Sequence, residues 1–271
     1  MSKQQDLIKQ LESSPEAEIL GVVSAGGVSG AGGSASDKNS LWTVLITLSG
    51  WRPVGGRFRE SELVIRKEVS DKKLKTLMAA MDPYDVVRVR ARLAEENVFG
   101  FPEALLIEFI GKDESDNELN SYAAKLQEPV TLMDPEFGVF TLERRVNWYE
   151  ANPVWCGAAV RLTVPAGSPN EIQKSLAAAR KLWADQEEWH RRITAYAVQK
   201  LLELKNDNWL DEGEAEVSEE EFGRRMVVET ISVNPGGSFE FWHDDGDLFL
   251  GHSIMVSGNL KDGPKDAGIH G

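Results

Sequence analysis

The chain of 271 residues has one cysteine, Cys156, so no disulfide can form within it. It has four histidines, few groups that change charge near neutral pH. No run of about 18 apolar residues exists, which excludes a membrane-spanning helix. The opening MSKQQDLIKQLESSPEAEIL lacks the apolar core of a secretory signal. It reads as a short amphipathic helix with Leu7, Ile8 and Leu11 on one side. Together these absences make a reducing cytoplasm the expected location. Two catalytic signatures are missing as well: there is no G-x-S-x-G nucleophile elbow and no P-loop lysine.

Positive charge is also short. Lysine and arginine total 30 against 44 acids, a formal charge of −14. Such a field repels nucleic acid and anionic membranes and favours basic partners. Residues 1–130 carry 16 basic and 20 acidic side chains, whereas residues 131–271 carry 14 and 24. The acidity belongs mainly to the second half.

What is present is alternation. Ile19 to Ser24 is a short β-like run, followed by AGGVSGAGGSAS from Ala25 to Ser36, whose small residues predict a mobile loop. Leu41 to Leu48, Glu62 to Val69, Val86 to Leu93 and Ala104 to Ile110 are strands by composition and period. A helix capped by Ser70 carries Leu74, Leu77, Met78 and Met81 at helical spacing and ends at Pro83. Three strands, a helix and two strands fit a small barrel of the OB type. Lys112 to Glu128 reads as a turn and short helix.

The second half shows strands at Phe137 to Leu142 and Gly157 to Val164. Ser168-Pro169-Asn170-Glu171 is a capping box with proline at the first helical position. The apolar period from Ile172 to Leu204 would give one helix roughly 50 Å long, so a break near Asp185 is expected. Ser218 to Glu221 is a second capping box, and strands follow at Val227 to Val233, Ser238 to Trp242 and Leu248 to Val256. The last two form a hairpin turning at Asp244-Asp245-Gly246-Asp247. The expected fold class is α+β. A β-barrel-like domain at 1–128 precedes an antiparallel-sheet domain with long helices at 129–262, and 263–271 is a flexible tail.

The richest polar cluster is His243, Asp244 and Asp247 with His252, candidates for a metal-dependent or acid–base site. Turn chemistry accounts for the carboxylates, because Asp and Gly suit a tight turn. On a strand from Leu248, His252 would face the core, about 17 Å along from the turn. Gly30-Ala31-Gly32-Gly33-Ser34-Ala35 matches G-x-G-x-x-A, but a dinucleotide fingerprint needs a helix next, and here a strand follows at Trp42. Cys156 reads as a small core residue and His190 as a solvated residue on a polar helical face. Arg52, Arg57, Arg59, Arg66, Arg88, Arg90 and Arg92 could line a single-strand-binding surface with Trp42 or Trp51 as stacking platforms. Glu60, Glu62, Glu68 and Asp85 dilute that face. Asp211 to Glu221 holds seven acids in eleven residues, either a solvated loop or a docking surface for a basic protein.

The run Phe137-Gly138-Val139-Phe140-Thr141-Leu142-Glu143-Arg144-Arg145-Val146-Asn147-Trp148 resembles the start of the DUF2262 family, a bacterial domain of unknown function. Trp155 with its following strand, Trp209 after the helices, and the ending Asp247-Leu248-Phe249-Leu250-Gly251-His252-Ser253-Ile254 resemble it too. The first half is similar to the amino-terminal region of many such proteins, through ILGVVSAGG and ALLIEFIG. The resemblance implies a bacterial cytosolic protein whose second half is one unit. It brings no activity and no catalytic residue.

The leading expectation is a non-enzymatic binding module recognising a basic protein partner, with immunity-type antagonism of a basic toxin as one form. The alternatives are an enzyme using the His243–Asp247 turn and single-strand binding by the first domain. No cofactor or metal is expected.

Overall fold

The computed structural model describes residues 3–34, 40–210 and 212–271. They form two compact units, Met1–Glu128 and Pro129–Gly271. No described helix is long and apolar enough to cross a membrane.

The first unit runs α1 (Lys3–Ser13), β1 (Glu16–Ala31), β2 (Trp42–Pro53), β3 (Leu63–Val69), α2 (Asp71–Ala80), β4 (Val86–Ala94), β5 (Glu103–Lys112) and α3 (Asn117–Gln127). The strands pair in the order β1-β2-β3-β5-β4, and β4 returns to β1, so the ladder closes on itself. This is the order expected of an OB-type barrel, with α2 between the third and fourth strands. Val44, Ile46 and Leu48 alternate inward along β2 and meet Ile65, Val89 and Leu74 in one core.

The segment read as a loop from Ala25 is instead strand as far as Ala31, with Ala35 and Ser36 outside the described residues. Gly30 and Gly33 in it, and Gly21 before it, permit close approach of neighbouring side chains or backbone. A Cβ on Gly30 would lie 2.5 Å from a Leu74 methyl, and one on Gly21 would lie 2.9 Å from the Gly50 carbonyl oxygen. Register shifts between Val22 and Val28 bend β1 so that it pairs with both β2 and β4.

The second unit runs β6 (Thr131–Asp134), β7 (Gly138–Glu143), β8 (Trp148–Ala151), β9 (Val154–Trp155), β10 (Ala158–Ala159), β11 (Arg161–Pro165), α4 (Pro169–Ala184), α5 (Gln186–Asn208), α6 (Glu219–Arg225), β12 (Val227–Val233), β13 (Ser238–Asp244), β14 (Ser253–Asn259) and β15 (Gly263–His270). Eight strands form one sheet in the order β15-β14-β13-β12-β11-β8-β7-β6. The expected antiparallel sheet holds for every pair but β11 with β12, which is parallel. Those two strands are joined by the three helices, and a long crossover of that kind is what parallel pairing needs.

Ser168 caps α4 with both halves of the box formed, and the long helical period breaks at Asp185 as its length demands. Leu176, Leu182, Trp189, Ile193 and Phe222 from the three helices pack with Ile231, Val233, Phe239, Phe241, Ile254 and Val256 in one core. All three helices therefore cover the same face of the sheet.

Two expectations at the end of the chain fail. The strand after β13 starts at Ser253, not Leu248, so the tight turn is a longer connection over 245–252. Residues 263–271, expected as a tail, supply the edge strand β15. The sequence GPKDAGIH has little strand propensity. What holds it is packing: Ala267 and Ile269 lie against the core, and a Cβ on Gly258 would lie 2.3 Å from the Gly263 carbonyl oxygen.

Candidate functional site

The four candidate residues at the end of β13 are not brought together. His243 is fully buried on the helix-covered face, while Asp244, its neighbour along the strand, is exposed on the other. Asp247 is exposed with φ 61°, held by its backbone N–H on the Asp245 carboxylate at 3.0 Å. Asp245 organises the loop. Its buried carboxylate also accepts from the N–H groups of Phe249 at 2.6 Å and Gly251 at 3.2 Å. Phe249 plugs the core beside Trp209 and Phe222. His252 is not an inward strand residue: it ends this loop, donates through Nδ1 to the Phe249 carbonyl, and meets Trp209 edge-on at 5.5 Å. Among the described residues no group of three His, Cys, Asp or Glu side chains could hold a metal ion.

Among the described residues, two histidines carry buried ring nitrogens without hydrogen-bond partners, Nε2 of His243 and Nδ1 of His190. His190 on α5 is half-buried, not the solvated residue its polar neighbours suggested. His243 Nδ1 lies 3.2 Å from the Ile254 carbonyl. A carbonyl only accepts, so the neutral ring carries its proton there and Nε2 is bare. Burial pushes the His243 pKa down to about 4, with the charge of His190 acting in the same direction. Burial, with Glu187 nearby, pushes the Cys156 thiol up to about 11, so it stays protonated at neutral pH. Neither group is tuned for proton exchange or nucleophilic attack near pH 7.

The uncovered face of the sheet is different. Directly paired residues share a face, and Glu150, Thr163, Ser232, Glu240, Ser257 and Asp266 lie in register across six strands. Thr163 donates to Ser232 at 2.8 Å at the centre of this row. Trp148 donates its indole N–H to Glu150 at 2.7 Å, and Trp242 donates to Glu240 at 3.1 Å. Each flanking carboxylate thus holds an indole in a fixed orientation. A depression of ≈ 250 Å³ lies between Trp148, Thr163, Ser232 and Glu240. Met133 and Val139, paired at the β6 edge, add exposed apolar area on the same side. Arg161, near Glu150 at 3.7 Å, stands against Glu143, Glu150, Glu240, Asp244 and Asp266. Sequence reading found β11 to β13 and part of β14, but not β8, β15 or this face. The signal lay in the alternate positions Trp148-x-Glu150 and Glu240-x-Trp242.

The acidic run is more structural than expected, with Asp211 outside the described residues. Glu214 pairs with the buried ammonium of Lys205 at 3.0 Å, and Asn206 holds both backbone groups of Val217. In the first unit Trp51 is fully buried under Arg59, so no base can stack on it. Arg52, Arg59, Arg66, Arg88, Arg90 and Arg92 each pair with a carboxylate. Six of the seven arginines of the expected basic strip are thereby neutralised, all but Arg57. The G-x-G-x-x-A match runs from β1 into residues outside those described, and the next described element is the strand β2.

These features define a two-unit α+β protein with one open sheet face. Residues 134–269 match the family model described as an uncharacterized protein conserved in bacteria, DUF2262. The chain belongs to that family. Residues 3–126 match a second model, a domain of unknown function, DUF7021. No curated protein and no solved structure gives a match.

Proposed function

We propose that the second unit is a non-enzymatic recognition module whose open sheet face docks a basic protein. The observation that carries this is the pair of carboxylate-fixed indoles, Trp148 on Glu150 and Trp242 on Glu240, flanking the Thr163–Ser232 bond. Tryptophan is the residue type most enriched among binding hot spots, because a rigid ring buries much area at little entropic cost. The surrounding carboxylates outnumber Arg161 and give the face a net negative charge, which steers a basic partner and disfavours an acidic one. Neutralisation of a cationic toxin is the immunity-type form of this reading.

The test places a photo-crosslinking residue at Met255, which pairs directly with Trp242. Irradiation in the native cell is expected to give an adduct with a basic protein that Glu240→Lys abolishes and the first-unit change Glu62→Lys leaves intact. Adducts that survive Glu240→Lys, or no adduct to a basic protein, would refute the reading.

A further inference from the structure

Three lysines gather around one cleft that no acid is seen to line. The cleft holds ≈ 350 Å³ and lies between α4 and the turns that follow β12 and β14. Lys174 and Lys181 come from α4, and Lys261 from the β14–β15 turn. All three are exposed, and among the described residues none has a carboxylate oxygen within ion-pair distance. Among the described residues no Asp or Glu lines the cleft, although the chain has 44 acids against 30 bases.

Two acids adjacent to these lysines in sequence are engaged elsewhere. Glu171, one turn before Lys174, is bound by the Ser168 hydroxyl and backbone in the capping box, and Lys174 adds only a minor attraction. Asp262, next to Lys261, accepts from Lys265 at 2.7 Å and from Asn259 at 3.1 Å. The opposite wall is the turn Pro235-Gly236-Gly237. At Gly236 nothing lies within 4 Å of where a Cβ would sit, and Gly237 has φ 79°. This wall therefore carries no side chain at its two glycines, which leaves room for a ligand against the lysines. Ala177, Ala178 and Leu260 supply no polar atom from their side chains.

We propose that this cleft binds a compact anion bearing two linked phosphates, either free diphosphate or the diphosphate of a nucleotide. Three lysines on the wall of one cleft attract a ligand of several negative charges more strongly than a singly charged one. A single carboxylate neutralises only one of them. Lysine binds phosphate as a mobile point charge, so three from two elements can close on oxygens at different positions. The volume is in the range of small-ligand sites. This inference does not rest on the open sheet face, to which none of these lysines belongs.

Titration calorimetry on the full chain, with diphosphate, ADP, orthophosphate and sulfate at low and moderate salt, tests it. Diphosphate is expected to bind at one site. Lys181→Ala and Lys261→Ala are each expected to weaken it by about tenfold, the scale of one lost charge contact near a surface. Lys72→Ala on the first-unit helix α2 is expected to leave it unchanged. ADP binding as tightly as diphosphate would assign a nucleotide source, and ADP failing to bind would assign the free anion. Absence of saturable diphosphate binding, or equal weakening by Lys72→Ala, would overturn the proposal. Circular dichroism melts of the variants guard against loss of fold, which exposed lysines are not expected to cause.

Discussion

The two faces of the eight-stranded sheet are written by the same residues in alternation and behave as two different surfaces. Along β13, Phe239, Phe241 and His243 turn toward the helices and are buried, while Glu240, Trp242 and Asp244 turn the other way. The covered face is aromatic and dry: Phe241 meets Trp155 at 5.4 Å and Phe239 at 5.5 Å. The open face is a row of hydroxyls and carboxylates with indoles fixed by hydrogen bonds. The covered face fixes the fold, which leaves the open face free to carry recognition. A contrast of this kind can be broken by substituting residues one position apart.

The largest effect is expected from Phe241→Ala. The ring is fully buried, and its removal leaves a cavity that the surrounding aromatic edges cannot fill without moving. The expected cost is about 3–5 kcal/mol, read as a fall in the urea midpoint at unchanged slope. A loss below about 1 kcal/mol would mean that the covered face is not the core of this unit.

His243 breaks the pattern from within, because it is a polar ring on the dry face. Its folded pKa, about 4, lies below the ordinary histidine value. Between pH 6.5 and 4 the unfolded chain therefore binds more protons than the folded one. This contribution to stability is fully present above about pH 6.5 and is lost as the pH falls toward 4. The upper bound is about 3 kcal/mol for a shift of this size. His243→Phe, which keeps a ring but cannot titrate, is expected to flatten the dependence of melting temperature on pH between 7 and 4.5. Carboxylates titrate alike in both proteins and cancel in the difference. An identical slope in wild type and variant would show that His243 takes up a proton without resistance.

How much of this could be read beforehand depended on whether the cause was local. The Ser168 box and the break at Asp185 follow from neighbouring residues and helix length, and both were legible. The barrel order followed from strand composition and the position of α2. β15 was not legible, because a glycine- and lysine-containing run becomes a strand only by docking on β14 and the core. The loop 245–252 failed for the same reason. Leu248 and Leu250 look alike at alternate positions, yet Leu248 is 1% exposed and Leu250 is 70% exposed, because Asp245 gathers three backbone N–H groups into a loop. The buried pair of Lys205 with Glu214 and the lysine cleft depend on residues far apart in sequence. The open face was half legible: β11 to β13 were found, but β8 and β15 were not, and the strand order in the sheet decides which residues form a row.

The smallest effect on stability, and the sharpest test of the contrast, is expected from Trp242→Ala. Trp242 is as aromatic as Phe241 and adjacent to it, so composition alone would predict similar losses. The surroundings differ: Trp242 is half-buried, its indole N–H is held by an exposed-face carboxylate, and its ring contact is with the edge-strand residue His270 at 5.3 Å. Truncation there opens no enclosed cavity, and Glu240 can turn to water. The expected change is below about 1 kcal/mol by the same urea measurement. Recognition should respond in the opposite order, with the Met255 photo-adduct lost in Trp242→Ala although the protein remains folded. If Trp242→Ala instead cost as much as Phe241→Ala, the face would be packed against another part of the protein rather than open to a partner. The basic-partner reading would then fail at its first premise.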